Sequence, residues 1–220
     1  PPVRRHTRRH IRNEADVSVK PEYRVERIGC NAAKDFIRAN HYSRGCHNGP
    51  SPCYGLFDTD DLIGCLMVAT PCSENVRRSV FGDEHKATVR ELHRLAIIDD
   101  TPKNTESWFI SRCLKLIRDE RPDLWALVSF ADTTQGHNGG IYRATNALHC
   151  GMTAPTRFYL DSEGRLRHPR QNGVNITLAH AADRGWEAVK RQAKHRFVFL
   201  LGNRAQKRER RKLLRLEVSE

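Results

Sequence analysis

Residues 23–28, Tyr-Arg-Val-Glu-Arg-Ile, alternate apolar and charged side chains, the period of a half-buried strand. After Asn31, the expected cap, the period lengthens: Ala32, Phe36 and Ile37 recur at helical spacing through Ala39. Residues 45–52 are rich in Gly, Pro and Cys and read as a loop. Residues 53–57 and 62–69 are apolar runs on either side of Asp58-Thr59-Asp60-Asp61, the pattern of a hairpin. A strand is expected over residues 89–98. The next helix is capped by Asn104 or Thr105 and carries Trp108, Phe109, Ile110, Cys113, Leu114 and Ile117, with Pro122 beyond its end. Residues 124–130 are continuously apolar, as in a central strand buried on both faces. A helix is expected over 138–149, ended at Gly151. Residues 158–160 and Leu166 pair across Ser162-Glu163-Gly164, residues near 178–190 form another helix, and 197–201 a last strand. Strands that alternate with helices argue for an α/β layered fold.

Charge divides the chain further. The net charge is +12 over 220 residues. Five Arg and no acid lie in residues 1–12, and seven Lys or Arg face Glu209 alone in residues 204–215. The two ends thus hold nearly all of the net charge, and the body between them is close to neutral. The expected division is a basic flexible arm over 1–22, one catalytic domain over 23–202 and a basic C-terminal tail over 203–220. Cationic arms release counterions from a phosphate backbone. Arg4, Arg5, Arg8, Arg9, Lys207, Arg208, Arg210 and Arg211 are therefore the expected contacts to double-stranded DNA, against the plainer reading of solubilising tails. No window is apolar enough to span a bilayer and no signal-like apolar stretch opens the chain, so the expectation is a cytoplasmic protein with no membrane partner. The seven Cys are odd in number and contain no C-x-x-C pair. They read as ordinary thiols rather than a disulfide framework, and Cys46, His47 and Cys53 lack a standard zinc spacing.

Three segments concentrate ionisable side chains. Asn40-His41-Tyr42-Ser43-Arg44 stands at a helix end before the Gly-rich loop, where His41 either moves protons or bonds the helix carbonyls. Arg90-Glu91-Leu92-His93-Arg94 opens a strand that then turns apolar. Alternation sets Glu91 and His93 on one face and Arg94 on the other unless a bulge intervenes. Charges inside a sheet are costly unless paired, so either a structural Glu–Arg pair or a substrate or metal site is expected. The third segment, Phe130 to Asn146, ends a strand at Asp132, passes Gly136, His137, Gly139 and Gly140, and opens a helix with Tyr142 in its first turn. Ligands of open α/β sheets bind at such strand ends. The plainer alternative is a turn shaped by glycines with Asp132 as helix cap.

In this order the three segments resemble the Mom family of DNA-modification proteins from Mu-like phages, over roughly residues 25–160, with a weaker echo in Lys194-His-Arg-Phe-Val-Phe199. The resemblance implies a GNAT-like (acetyltransferase superfamily) fold: a mixed, mostly antiparallel central sheet flanked by helices. It implies an enzyme that converts the exocyclic amine of adenine in DNA to an acetamido (carbamoylmethyl) form and so shields the DNA from restriction. It singles out His41, Tyr42, Arg94, Asp132 and Tyr142, with Ser111 as a further candidate. An iron-dependent route also follows from it, with His41, Asp132 and Glu91, or the phenols of Tyr42 and Tyr142, as ligands. A base inside a duplex has to be flipped out for such chemistry. Acetyltransferases seat the CoA pyrophosphate on a Gly-rich turn before a helix. Here residues 99–107 contain no Gly and carry Asp99, Asp100 and Glu106, which argues against acetyl-CoA held in that way. Two alternatives stay open: an N-acyltransferase acting on a protein or small-molecule amine, and a non-catalytic DNA-binding accessory protein.

Overall fold

The computed structural model describes residues 22–43, 45–46, 48–171 and 174–219. In chain order the elements are β1 (Arg24–Arg27), α1 (Cys30–Asn40), β2 (Cys53–Asp58), β3 (Asp61–Ala69), α2 (Glu74–Phe81), β4 (Val89–Ile97), α3 (Thr105–Glu120), β5 (Ala126–Asp132), α4 (Gly140–Arg143), β6 (Leu148–Met152), β7 (Thr156–Leu160), β8 (Leu166–Arg167), β9 (Arg170–Gln171), β10 (Val174–Asn175), α5 (Leu178–Ala182), β11 (Glu187–Arg191), β12 (Lys194–Leu200) and α6 (Arg204–Lys212). The main sheet runs β1-β2-β3-β4-β5-β12-β6. Every pairing in it is antiparallel except β4 with β5. This is the mixed, mostly antiparallel sheet flanked by helices that the family resemblance implies.

The unbroken apolar run of β5 has a simple cause. Leu127 and Ala131 point to the face that carries α3, where Phe109, Ile110, Cys113 and Ile117 meet Leu66, Val68, Phe197 and Phe199. Ala126 and Val128 point to the other face, where Val80 and Phe81 of α2 pack with Val89 and Val198. A strand covered on both sides gains from apolar residues at every position, about 1.5–3 kcal/mol for each large side chain removed from water. α1 covers the same second face farther along, through Ala33 and Ile37 against Cys65 and Met67.

Several expectations change. The helix over 138–149 shrinks to α4, because Asn146 takes a left-handed backbone (φ 59°) and the chain turns into the strand β6. The helix near 178–190 stops at Ala182; Gly185 (φ 65°) reverses the chain into β11. α2, with Val76, Val80 and Phe81 on its apolar side, is an element that the periodic pattern does not announce. α1 starts from Gly29, without the Asn31 cap. The C-terminal tail is no free arm. Asn203 and Gln206 form a capping box that starts α6, and Leu214, Leu216 and Val218 then pack beneath α2 and β5. The N-terminal arm, with Arg4, Arg5, Arg8 and Arg9, lies outside the described residues. Among the described residues no helix is long and apolar enough to cross a membrane.

Candidate active site

β4 and β5 pair only over Val89↔Ala126, Arg90↔Leu127 and Glu91↔Val128. Beyond that the strands separate, and the Ser129 hydroxyl donates to the Leu92 carbonyl (3.2 Å) where the backbone ladder has stopped. On its other side β4 pairs Leu92 with Val68 and Arg94 with Met67, leaving His93 as the extra residue of a bulge. That bulge puts His93 and Arg94 beside the same opening as Glu91, although strict alternation would separate Arg94 from them. The opening is a cavity of about 150 Å³ lined by His41, Tyr42, Glu91, His93, Arg94, Phe130, His137, Ile141, Tyr142 and Lys194, with Leu92 and Leu95.

His41 and Tyr42 reach this cavity because α1 ends at Asn40 and the next residues fold back. The His41 Nδ1 accepts from the Ser43 backbone N–H (3.1 Å) and lies 2.9 Å from the Ser43 hydroxyl. A backbone N–H only donates, so in the neutral ring the proton sits on Nε2. Burial, followed by the charges of Arg94, His137 and His93, lowers the His41 pKa to about 4. His41 thus presents a neutral ring whose remaining nitrogen is a donor. The Tyr42 ring lies on His41, 4.2 Å between centroids, with the His137 ring at its edge. It is 53% exposed. Burial and the Asp132 charge raise its phenol pKa against the pull of Arg94 and Arg191.

Tyr142 comes from α4 and is buried against Phe197 and Phe199. Burial raises its phenol pKa, opposed by a hydrogen bond with Ser129. Its placement depends on Gly139, whose φ is 78° and at which a Cβ would stand 2.2 Å from the Phe197 ring. Only glycine fits so close an approach. Arg94 donates to the carbonyls of Gly45 (2.8 Å) and His93 (2.7 Å). Glu91 faces His93 (3.3 Å), so the structural pair in this strand is Glu–His, not the Glu–Arg pair considered from sequence.

Asp132 ends β5 and is 3% exposed. One oxygen accepts from the Thr134 N–H (3.1 Å) and hydroxyl (2.5 Å), which caps the turn after the strand. The other accepts from Arg191 (2.9 Å) and meets the Lys194 ammonium at 3.1 Å. Burial raises its pKa, but the hydrogen bonds from Thr134 and Lys194 and the charges of Lys194 and Arg191 outweigh it and hold the carboxylate below its ordinary value. Asp132 therefore stands behind the cavity wall and does not line it. Among the described residues no three His, Cys, Asp or Glu side chains gather as a metal-ligand set. Of the ligands expected for iron, the His41 Nδ1 and both Asp132 oxygens are engaged by protein groups.

Ser111 does not join the group. It sits on α3 and donates to the Ser107 carbonyl (2.9 Å), beside a different cavity that also touches Lys115, Arg118 and Lys207. The cluster gains residues that sequence reasoning does not pick: Ser43, Ser129, Arg191 and Lys194. Ser43 lies inside the first of the three segments and Lys194 inside the echo at residues 194–199, while nothing in the sequence points to Ser129 or Arg191. Lys207, Arg208 and Arg211 are exposed on α6. Arg210 is not: it is 9% exposed, lies over Trp125 and donates to the Leu201 carbonyl (2.6 Å). Contrary to the expectation from sequence, Arg210 is not free to meet phosphate, because its guanidinium is already part of the packing.

The model of the Mom protein family matches residues 22–217 of the chain. A curated relative, the methylcarbamoylase mom of Escherichia phage Mu, is 32% identical over 203 residues, covering 89% of this chain and 83% of that one. Among solved structures, a mutant of the spermidine N-acetyltransferase SpeG from Vibrio cholerae aligns with a TM-score of 0.48 at 10% identity, over 82% of this chain and 95% of that one. The SpeG structure from the same organism with manganese ions gives 0.47 at 12% identity, over 87% and 96%. At these scores the structural likeness decides nothing about activity.

Proposed function

Since the chain belongs to the Mom protein family, we propose that it modifies DNA, converting the exocyclic amine of adenine to an acetamido (carbamoylmethyl) form that shields the DNA from restriction. The observation that carries this reading is the cavity where β4 and β5 part. It gathers His41, Tyr42, Arg94 and Tyr142 in one opening, and they come from segments far apart in the chain. Adenine within a duplex is out of reach, so the target base has to swing out of the stack. The exposed Tyr42 ring, backed by His41, offers it a stacking surface.

Within the cavity the roles follow from lone pairs and protons. His41 Nε2–H donates to a ring nitrogen of the adenine. Glu91, held by His93, is the carboxylate that faces the cavity and takes the proton the amine loses as its nitrogen bonds to the acetamido carbon, while that carbon's bond to the donor breaks and the electron pair leaves with the donor. Arg94 has a guanidinium already fixed by two carbonyls, which suits it to an anionic group on the donor or on the DNA backbone. Tyr142 donates from a site that burial keeps protonated. Asp132 orders the turn and the strand behind these groups. The donor does not sit as CoA sits on a Gly-rich turn: the approach to α3 carries Asp99 and Asp100, and its first turn carries Glu106, all of which repel a pyrophosphate.

The test is mass spectrometry of nucleosides from plasmid DNA of bacteria that express the chain or its His41→Ala variant. An adenosine species heavier by an acetamido group, present with the wild type and absent with the variant, is the expected result. Unmodified adenosine with folded wild-type protein would sink the reading and turn attention to an acyltransferase acting on another amine.

A further inference from the structure

Between β6 and β12 the chain leaves the main sheet and returns. His195 lies opposite Met152, and Lys194 opposite Asp132, so residues 153–193 depart and re-enter at the end of the sheet where the cavity opens. Two bonds close the neck: the Thr153 N–H donates to the Lys194 carbonyl (2.9 Å), and the Lys194 N–H to the Thr153 hydroxyl (3.0 Å). The excursion folds as a lobe of its own. Its sheet runs β11-β7-β8, and its small core is Tyr159, Ile176 and Ala181 beneath Trp186. The lobe is pinned to the wall of the cavity by Arg191, which reaches Asp132 and Thr134, and by the Thr133 hydroxyl, which donates to the Ala193 carbonyl (2.7 Å). Asp132 thus takes two hydrogen bonds from its own turn and two cationic contacts from the neck of the lobe.

The lobe is basic, and its buried acid is occupied internally: Asp161 binds Arg165 and Arg167. Arg157 and Lys190 are exposed and without a carboxylate partner among the described residues, as is Arg184, which lies over Trp186. Arg157 and Lys190 stand directly opposite each other in the β7–β11 register, hence on the same face. Like charges placed opposite each other destabilise a strand pair. An anion between them removes the penalty. Lys190 adjoins Arg191, whose guanidinium meets Asp132, and the pair Arg157 and Lys190 stands on the opposite face of β7 and β11 from Arg191, at the neck of the lobe. A duplex held over the cavity carries a phosphate about every 3.4 Å along each strand.

We propose that the lobe of residues 153–193 is the surface that grips the DNA duplex beside the cavity. Arg157 and Lys190 hold backbone phosphate next to the flipped base, and the Asp132–Arg191 contact sets the distance between this grip and the reacting groups. The inference rests on the DNA-modification reading and adds to it the part of the chain that positions the substrate. Arg191 and Asp132 are positioning residues in it, acting through the lobe.

The experiment is binding of the full chain to a fluorescently labelled duplex, read by anisotropy across a sodium chloride series, with thermal unfolding as a check of folding. Arg157→Gln combined with Lys190→Gln is expected to weaken binding about tenfold near 0.1 M salt. It is also expected to flatten the slope of log affinity against log salt by about 1.8, since each phosphate that is no longer neutralised takes away about 0.9. For the latch, Asp132→Asn and Arg191→Gln are each expected to raise KM for duplex more than they lower kcat. Their combination is expected to be no worse than either alone, and Arg191→Lys to recover part of the loss. An unchanged slope in the folded double variant, from a chain that still produces modified adenosine in cells, overturns the lobe assignment alone. A wild-type chain with no salt-sensitive duplex binding overturns it together with the DNA-modification reading.

Discussion

At the scale of single residues, the site is defined by where protons and lone pairs already are. His41 is the clearest case, since the Ser43 backbone N–H fixes Nδ1 as the acceptor. Side-chain nitrogen chemical shifts are expected to show the Nε2–H tautomer, with no titration between pH 5 and 8 and a midpoint near 4. A midpoint near 6.5 or an Nδ1–H signal would remove His41 from the donor role. The sign for stability follows from the same shift. In the unfolded chain His41 returns to its ordinary value of 6.5, so between about pH 6.5 and 4 the unfolded state binds more protons. Stability from this group is therefore intact above pH 6.5 and declines as the pH falls through that window. His41, Tyr42 and Tyr142 are all visible in the sequence as reactive side chains near breaks in the periodic pattern. Their convergence on one cavity is not, because Tyr142 gets there through Gly139, whose lack of a side chain lets Phe197 approach.

At the scale of elements, the long-period signals hold where apolar residues recur over several turns, as in α3. They fail where a short apolar stretch serves two periods. Residues 138–149 hold Ile141, Tyr142, Ala144 and Ala147 at spacings that suit a helix, yet only Gly140–Arg143 is helical, since β6 gains more by completing the edge beside β12. α6 shows the reverse error: a basic stretch that reads as tail is a capped helix whose one inward residue is Arg210. The structure predicts opposite outcomes for neighbouring arginines. Arg210→Ala is expected to cost about 1–3 kcal/mol, because Trp125 loses the guanidinium that covers it and the Leu201 carbonyl is orphaned. Arg208→Ala is expected to stay within about 0.5 kcal/mol, as exposed substitutions do. Chemical denaturation of the two variants decides it, and equal effects would mean that α6 does not dock as described.

At the scale of the whole molecule, one buried carboxylate joins the sheet to the lobe. The Asp132 pKa lies below its ordinary value of 3.8, so its contribution is fully present above that value and is lost as the pH falls through the lower folded value. Amide hydrogen exchange in β7 and β11 is expected to match that of the small lobe core at pH 5 and to accelerate as the pH falls below the ordinary carboxylate value of 3.8, ahead of exchange in β5. Asp132→Asn is expected to show the faster lobe exchange already at pH 7. Exchange that rises together in lobe and main sheet would mean that Asp132 supports the fold as a whole and not this joint.

Sequence by itself determined the α/β class, the buried central strand, the first hairpin and the three segments that supply His41, Tyr42, Arg94 and Tyr142. These are local signals, carried by period, by breaks at Gly and by charge in an apolar run. Tertiary structure alone decided the rest. The bulge at His93 brings Arg94 to the cavity only because β3 pairs on one side while β5 departs on the other. Asp132 joins the sheet to the lobe because Arg191 and Lys194, about sixty residues away in the chain, come back to it. Residues so far apart meet through strand register and chain return, and no run of neighbouring residues records either.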